Sequence, residues 1–131
     1  MTPPRPRLLI LGTGGTIAGA GTSPALSTRY EAAKVPVDAL AAAVPGLAQA
    51  AELRFAQPVQ KPSFDIDTDD WLAIRRTVLE GLADPALTGV IITHGTDTLE
   101  ETAFWLHHSV SDPRPVVLTG AMRPGTAHSP H

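Results

Sequence analysis

The sequence predicts an α/β protein built on an open, mostly parallel, doubly wound sheet flanked by helices. Short, solidly apolar runs, typical of strands buried on both faces, alternate along the chain with segments of helical periodicity. This alternation is the pattern of βαβ units, whose right-handed crossovers place helices on the two faces of a parallel sheet. The segments that leave three of the runs are rich in glycine and hydroxyl side chains, which indicates a ligand-binding edge.

Length and composition suit one soluble domain. The chain has 131 residues, 43% of them hydrophobic, and a formal net charge of -3, which excludes a disordered polyelectrolyte and a basic surface for nucleic acid or membrane. It has no cysteine, and therefore neither a disulfide scaffold nor a thiolate metal site. The run from Leu8 to Leu11 is too short for a secretory signal. We expect a cytoplasmic protein with no nucleic-acid or membrane partner.

Four strands are expected. They are Arg7 to Leu11, a segment that holds Leu53 and Phe55, Gly89 to Thr93, and Pro115 to Thr119. Each is short and rich in branched or aromatic residues, as buried strands are.

Three helices are expected between the strands. The first spans Asp38 to Val44, where Pro45-Gly46 ends it. The second begins at Thr68, a residue suited to capping, and Asp69 and Asp70 lie in its first turn. The third begins at Thr98, which has capping-box spacing to Glu101.

Three loops are expected to share one edge of this sheet, because the carboxyl ends of parallel strands lie together. These loops are Gly12 to Thr16, Lys61 to Ser63, and His94 to Thr98. The side chains expected to converge there on one concavity are those of Thr13, Thr16, Ser63, Thr96 and Asp97.

Each loop also has an alternative interpretation. A glycine loop after a strand can cradle phosphate, but this one lacks the lysine of a P-loop, and Ile17 stands where the dinucleotide fingerprint has its third glycine. Thr96 and Asp97 could simply cap the next helix. Since Thr98 with Glu101 would supply that cap, Thr96 and Asp97 are left for a ligand, beside backbone N–H groups suited to a carboxylate or an oxyanion.

No metal or cofactor is expected. The five histidines show no ligand spacing. The acidic run from Asp65 to Asp70 resembles the start of a calcium loop, but Asp70 occupies the place of the required glycine and Arg76 that of the bidentate glutamate.

Three motifs resemble those of the bacterial-type L-asparaginase family, which includes glutaminase-asparaginases. Leu11 to Gly19, containing Thr-Gly-Gly-Thr-Ile-Ala-Gly, is similar to the first family signature, and Thr93 to Ala103 to the second. Leu118 to Pro124 is similar to the segment that follows. The resemblance covers nearly the whole chain in the right order.

The resemblance implies hydrolysis of L-asparagine, with L-glutamine as a second candidate substrate, through a covalent acyl-enzyme. Thr16 corresponds to the nucleophile and Tyr30 to the tyrosine that hydrogen-bonds it. Thr96 corresponds to a second catalytic threonine, and Asp97 to the aspartate that binds the substrate's α-amino group. The segment from Gly19 to Thr28, which follows the first loop, is expected to be mobile without ligand, because it has little apolar surface to offset the entropy of ordering.

The same resemblance implies the substrate-binding positions. Ser63 corresponds to the serine that holds the substrate's α-carboxylate, and Ala121 to a backbone carbonyl facing the amide. Gly15 and Gly95 fall among the binding positions of the two signatures. Phe64 departs from the family, which usually has a polar residue there, and an aromatic ring cannot hydrogen-bond a carboxylate.

The family protein is longer than this chain and forms homo-oligomers. We expect residues 1–131 to be its N-terminal catalytic domain, with the C-terminal domain absent. The family's activating lysine lies farther along, and neither Lys34 nor Lys61 corresponds to it. Two hypotheses therefore stay open: an asparaginase, and a truncated, inactive or binding-only module that lacks this lysine.

Overall fold

The structure of the protein is a computed structural model that describes residues 3–18, 20–21, 30–31 and 36–122. Its strands are β1 (Arg7–Gly12), β2 (Ala20–Gly21), β3 (Tyr30–Glu31), β4 (Glu52–Ala56), β5 (Gly89–Thr93) and β6 (Val116–Thr119). Its helices are α1 (Val37–Ala42), α2 (Leu47–Ala50), α3 (Thr68–Leu82) and α4 (Leu99–Ser109). Short 3-10 turns occupy Thr16–Ala18 and Ser63–Asp65.

Four strands form one parallel sheet in the order β4-β1-β5-β6. β1 and β5 lie in the middle and are the most buried, as their solid apolar composition predicts. β2 and β3 pair separately as a short antiparallel ribbon. The predicted fold class is confirmed, and the carboxyl ends of the four parallel strands lie at one edge.

The helices cover both faces of the sheet. On one face, Leu9, Leu11, Val90 and Ile92 pack in the main core with side chains of α3 and α4. On the other face, Ile10 packs against α1. This two-sided arrangement follows from the strand order. The chain adds β4 on one side of β1 and then β5 on the other side, so the connections before and after β4 cross opposite faces of the sheet.

Several predicted helix ends are wrong. α1 spans Val37–Ala42 rather than 38–44, and the short helix α2 follows it. The N-cap of α3 is Asp67, not Thr68: the Asp67 carboxylate accepts the Asp70 N–H at 3.0 Å, while the Asp70 carboxylate accepts the Asp67 N–H at 3.0 Å. Asp67 and Asp70 thus each accept the other's N–H, whereas a cap at Thr68 would have Trp71 three residues on, which has no acceptor to return the bond.

Within the described part of the chain, no helix is both long enough and apolar enough to span a bilayer.

Candidate active site

The first and third loops touch through their backbones at the carboxyl edge of the sheet. Gly15 has φ +80°, and a Cβ there would lie 2.3 Å from the Cα of Gly95. A Cβ on Gly95 would in turn lie 2.5 Å from the Ser63 Oγ. Glycine is therefore required at both positions, and it brings Gly15, Gly95 and Ser63 into one packed cluster.

Backbone hydrogen bonds hold the second loop beside the first. The Lys61 N–H donates to the Thr13 carbonyl at 3.0 Å, and the Gly15 N–H donates to the Lys61 carbonyl at 3.1 Å. Thr13 itself is fully buried, and its hydroxyl donates to the Thr93 carbonyl at 2.8 Å. Its hydroxyl therefore holds the loop to β5 and is turned away from the expected concavity.

Ser63 is the point where the second and third loops are joined. It is 1% exposed, and its hydroxyl accepts the Asp97 N–H at 3.1 Å. The Thr98 hydroxyl donates to the Ser63 carbonyl at 2.9 Å, and Thr98 makes no side-chain cap bond to α4. The predicted capping box of Thr98 and Glu101 is therefore wrong, because the Thr98 hydroxyl holds the Ser63 loop instead.

Thr96 and Asp97 are exposed at this edge, between Ser63 and the end of β6. A Cβ on Gly120, the residue after β6, would lie 2.6 Å from the His94 carbonyl oxygen and 3.2 Å from Thr96 Cγ2. Ala121, the next residue, is buried. Gly15, Ser63, Gly95, Thr96, Asp97 and Ala121 are thus brought together around one edge.

The predicted nucleophile and its tyrosine are described only in part. The backbone of Thr16 begins the 3-10 turn directly after Gly15, and that of Tyr30 lies in β3. Their side chains lie outside the described structure, as do residues 19 and 22–29, which make up most of the loop expected to be mobile.

His94 was not predicted as a functional residue, and the structure places it directly beneath the third loop. It is fully buried. Its Nδ1 lies 2.7 Å from the Gly95 carbonyl oxygen, and its Nε2 lies 2.8 Å from the Thr102 Oγ1. Burial lowers the pKa of His94, although the Gly95 carbonyl and Glu101 act in the opposite direction. No sequence spacing signalled this contact, since it depends on how α4 packs beneath the loop.

Lys61 is engaged in an ion pair beside the second loop. Its Nζ lies 2.8 Å from Asp70 Oδ2, and this hydrogen bond raises the pKa of Lys61. Burial alone would raise the pKa of Asp70, but the bonds from Lys61 and the Asp67 N–H outweigh it and hold that pKa below its usual value. Among the described residues, no three histidine or acidic side chains are grouped as a metal site would require.

The fold and the site define a doubly wound α/β protein with a candidate small-molecule site of hydroxyls, glycines and one exposed carboxylate at the carboxyl edge of its sheet. The family model "Asparaginase, N-terminal" matches residues 7–131. The chain belongs to the asparaginase family.

Individual relatives agree with this assignment. The chain is 49% identical to a glutaminase-asparaginase of Acinetobacter glutaminasificans, over 93% of this chain and 37% of that protein. It is 43% identical to L-asparaginase 2 of Escherichia coli K12, over 95% of this chain and 35% of that protein. A solved structure, the probable cytoplasmic L-asparaginase from Campylobacter jejuni, matches with a TM-score of 0.88 at 41% identity, over 94% of this chain and 37% of that one. The chain thus spans a little over a third of the length of these relatives.

Proposed function

We propose that the chain is the N-terminal catalytic domain of an amidohydrolase that converts L-asparagine to L-aspartate and ammonia, with Thr16 as nucleophile. The observation that carries the proposal is the junction at Ser63. There the Ser63 Oγ lies 3.1 Å from the Asp97 backbone nitrogen. Gly95 packs against both Ser63 and Gly15, the residue that precedes Thr16.

The junction supports a role for Ser63 in binding the substrate's α-carboxylate. The Ser63 oxygen already accepts the Asp97 N–H, so its own hydroxyl proton remains to be donated. Hydrogen bonds to a charged acceptor are about twice as strong as neutral ones. Because Ser63 is almost fully buried, little water would compete for that proton.

Asp97 supports recognition of the substrate's α-amino group. Its carboxylate is exposed, while its backbone N–H is fixed to Ser63. A carboxylate on a backbone anchored there can pair with an ammonium group next to the carboxylate held by Ser63. Two adjacent groups of opposite charge are what an α-amino acid presents.

The reaction needs two steps at the side-chain amide. In the first, the Thr16 oxygen bonds to the amide carbon, the C–N bond breaks, and the Thr16 proton leaves with the nitrogen as ammonia. In the second, water hydrolyses the resulting ester, which releases L-aspartate and restores the Thr16 hydroxyl. We propose Tyr30 as the hydrogen-bond partner of Thr16, and Thr96 as the second threonine, which with Asp97 assists the proton transfers. Gly15, Gly95 and the Ala121 carbonyl would line the space of the amide.

Assembly and location are part of the proposal. The family resemblance supports a homo-oligomer for the longer protein, with a small amide as its ligand. The name of the Campylobacter jejuni relative supports a cytoplasmic location, whereas a Haemophilus influenzae relative, 41% identical, is named a probable periplasmic asparaginase. Fractionation of cells that express the protein would distinguish a cytoplasmic from a periplasmic location.

The test is ammonia release from L-asparagine and L-glutamine, measured for the 131-residue chain and for a fusion to the remaining part of the Acinetobacter relative. Thr16→Val should abolish release and leave L-aspartate binding intact. Thr77→Val is the matched control, since within the described ranges the Thr77 hydroxyl bonds only the Ala73 carbonyl of its own helix. Binding of L-aspartate without turnover in either form would favour the binding-only module. Full activity of Thr16→Val would overturn the assignment of Thr16 as nucleophile.

A further inference from the structure

Three side chains, the half-buried Trp71 and the buried Thr102 and His94, form a hydrogen-bonded series beneath the third loop. The Trp71 indole Nε1–H donates to the Thr102 Oγ1 at 3.0 Å. The Thr102 Oγ1 lies 2.8 Å from His94 Nε2, and His94 Nδ1 lies 2.7 Å from the Gly95 carbonyl oxygen. Thr102 and His94 are both fully buried. The series therefore runs from α3 through α4 to the loop that carries Thr96.

The positions of the protons follow from the two ends of the series. The Gly95 carbonyl can only accept, so His94 Nδ1 carries a proton. The Trp71 N–H can only donate, so Thr102 accepts there and is free to donate its own proton to His94 Nε2. A neutral imidazole protonated at Nδ1 satisfies every one of these groups. Burial, which lowers the pKa of His94, favours this neutral form, and Glu101 is the charged group that opposes it.

We infer that His94 is a positioning residue for the proposed hydrolysis: its Nδ1–H fixes the orientation of the Gly95–Thr96 peptide. In a trans peptide the C=O and the N–H point in opposite directions, and no described peptide bond is cis. Since the Gly95 carbonyl faces the buried imidazole, the Thr96 N–H points away from it, out of the packed interior. This inference rests on the proposed function for what Thr96 does, but not for the geometry.

The surroundings leave this one peptide dependent on His94. Gly95 has no side chain to hold it, and its Cα is pressed between Gly15 and Ser63. Rotation of the peptide would change the direction of the Thr96 N–H and the position of the Thr96 side chain. Thr102 and Trp71 keep the imidazole in one tautomer, so they act on the site through His94.

Two substitutions of His94 distinguish the hydrogen bond to the Gly95 carbonyl from the packing of the side chain. Leucine and asparagine both branch at Cγ and have similar size, but only asparagine can donate from the place of Nδ1. Kinetics are measured in whichever form, chain or fusion, has the higher asparagine turnover. We expect His94→Leu to lower kcat by about 100-fold, the effect of a small misplacement of a reacting group, and to change KM much less. His94→Asn should recover about tenfold of that loss.

A second measurement tests the geometry independently of activity, by nuclear magnetic resonance on whichever form, chain or fusion, stays monomeric at the concentration used. The ring nitrogens of His94 should show the proton on Nδ1 between pH 6 and 8. The Gly95 and Thr96 backbone resonances should move in His94→Leu and in Trp71→Phe, and stay in place in Trp105→Phe. Trp105 is the matched control because it stacks on Trp71, with ring centroids 5.2 Å apart, and has no bond in the series.

The outcomes distinguish the two claims. If no amide is hydrolysed by either form while the resonances behave as stated, the proposed function fails and the positioning role stands. A proton on Nε2, or equal kcat in the leucine and asparagine variants of an active form, would overturn the positioning role. If His94→Leu does not fold, Trp71→Phe tests the positioning role instead. Unchanged Gly95 and Thr96 resonances in Trp71→Phe would also overturn that role.

Discussion

Phe64 presents an aromatic ring beside the serine proposed to hold the substrate carboxylate. The ring is 69% exposed, so it contributes little to the core. Phe64→Gln would add a donor next to Ser63 and should lower KM for L-asparagine by about tenfold, since a hydrogen bond to a charged group contributes roughly 1.5 kcal/mol or more. Phe104→Gln is the control, because Phe104 is 68% exposed on α4, where its ring lies against that of His108. Equal KM values in Phe64→Gln and the parent would place residue 64 outside the carboxylate site.

His94 should make stability depend on pH in a definite direction. Its pKa is lowered by burial from the usual 6.5, so below that pH the unfolded chain binds a proton that the folded chain does not. The free energy of unfolding should therefore fall as pH drops from about 7 to 5, by at most about 1.4 kcal/mol per pH unit for one proton. Urea denaturation at each pH measures the slope. His94→Asn should be flatter over this range, and an equal slope in both proteins would contradict the assignment.

At the scale of the element, two substitutions at the start of α3 test which residue caps the helix. Asp67→Ala removes the observed capping box and should lower the free energy of unfolding by about 1 kcal/mol. Thr68→Ala, which removes the cap expected from sequence, should stay within roughly 0.5 kcal/mol of the parent, as neutral surface changes do. Thermal melts of the two variants make the comparison. A larger loss in Thr68→Ala would restore the original prediction.

The starts of α3 and α4 also show what local sequence can and cannot predict. A threonine before an apolar helix, with glutamate three residues on, favours a capping box, yet the Thr98 hydroxyl donates to the Ser63 carbonyl, 35 residues away. Asp67 and Thr68 are both suited to capping α3, and Asp67 does so because Asp70, three residues on, returns the hydrogen bond. Local propensity gives the existence of α3 and α4, but tertiary contacts decide where their polar ends bind.

At the scale of the whole molecule, the sheet could be predicted because its central strands have to be apolar on both faces. β1 and β5 fit that pattern, and the parallel order brings Ser63, Gly95 and Asp97 to one edge, as their places after strands predict. Thr13 follows a strand too, but its hydroxyl turns inward to the Thr93 carbonyl. The position after a strand therefore predicts nearness to the edge, whereas the direction of a side chain depends on packing.

The last prediction concerns the 131-residue chain by itself. In its proposed catalytic role, Thr96 needs a base for efficient proton transfer, and assistance of this kind is worth roughly 100-fold to 10,000-fold in rate. Lys61 is occupied by Asp70 at 2.8 Å, and Lys34 lies outside the described residues. The largely apolar groove of about 310 Å³ between α1 and the sheet, together with exposed Val117 and Met122, leaves apolar surface open to association.

We therefore expect the isolated chain to hydrolyse L-asparagine very slowly and to aggregate on concentration. The fusion to the remaining part of the Acinetobacter relative should raise turnover by at least about 100-fold if it brings a lysine to Thr96. Substituting that lysine with methionine in the fusion should return turnover to the level of the isolated chain, and light scattering should record less aggregation in both fusions. Monomeric chain with turnover equal to that of the fusion would show that the groups for proton transfer are already present within these 131 residues.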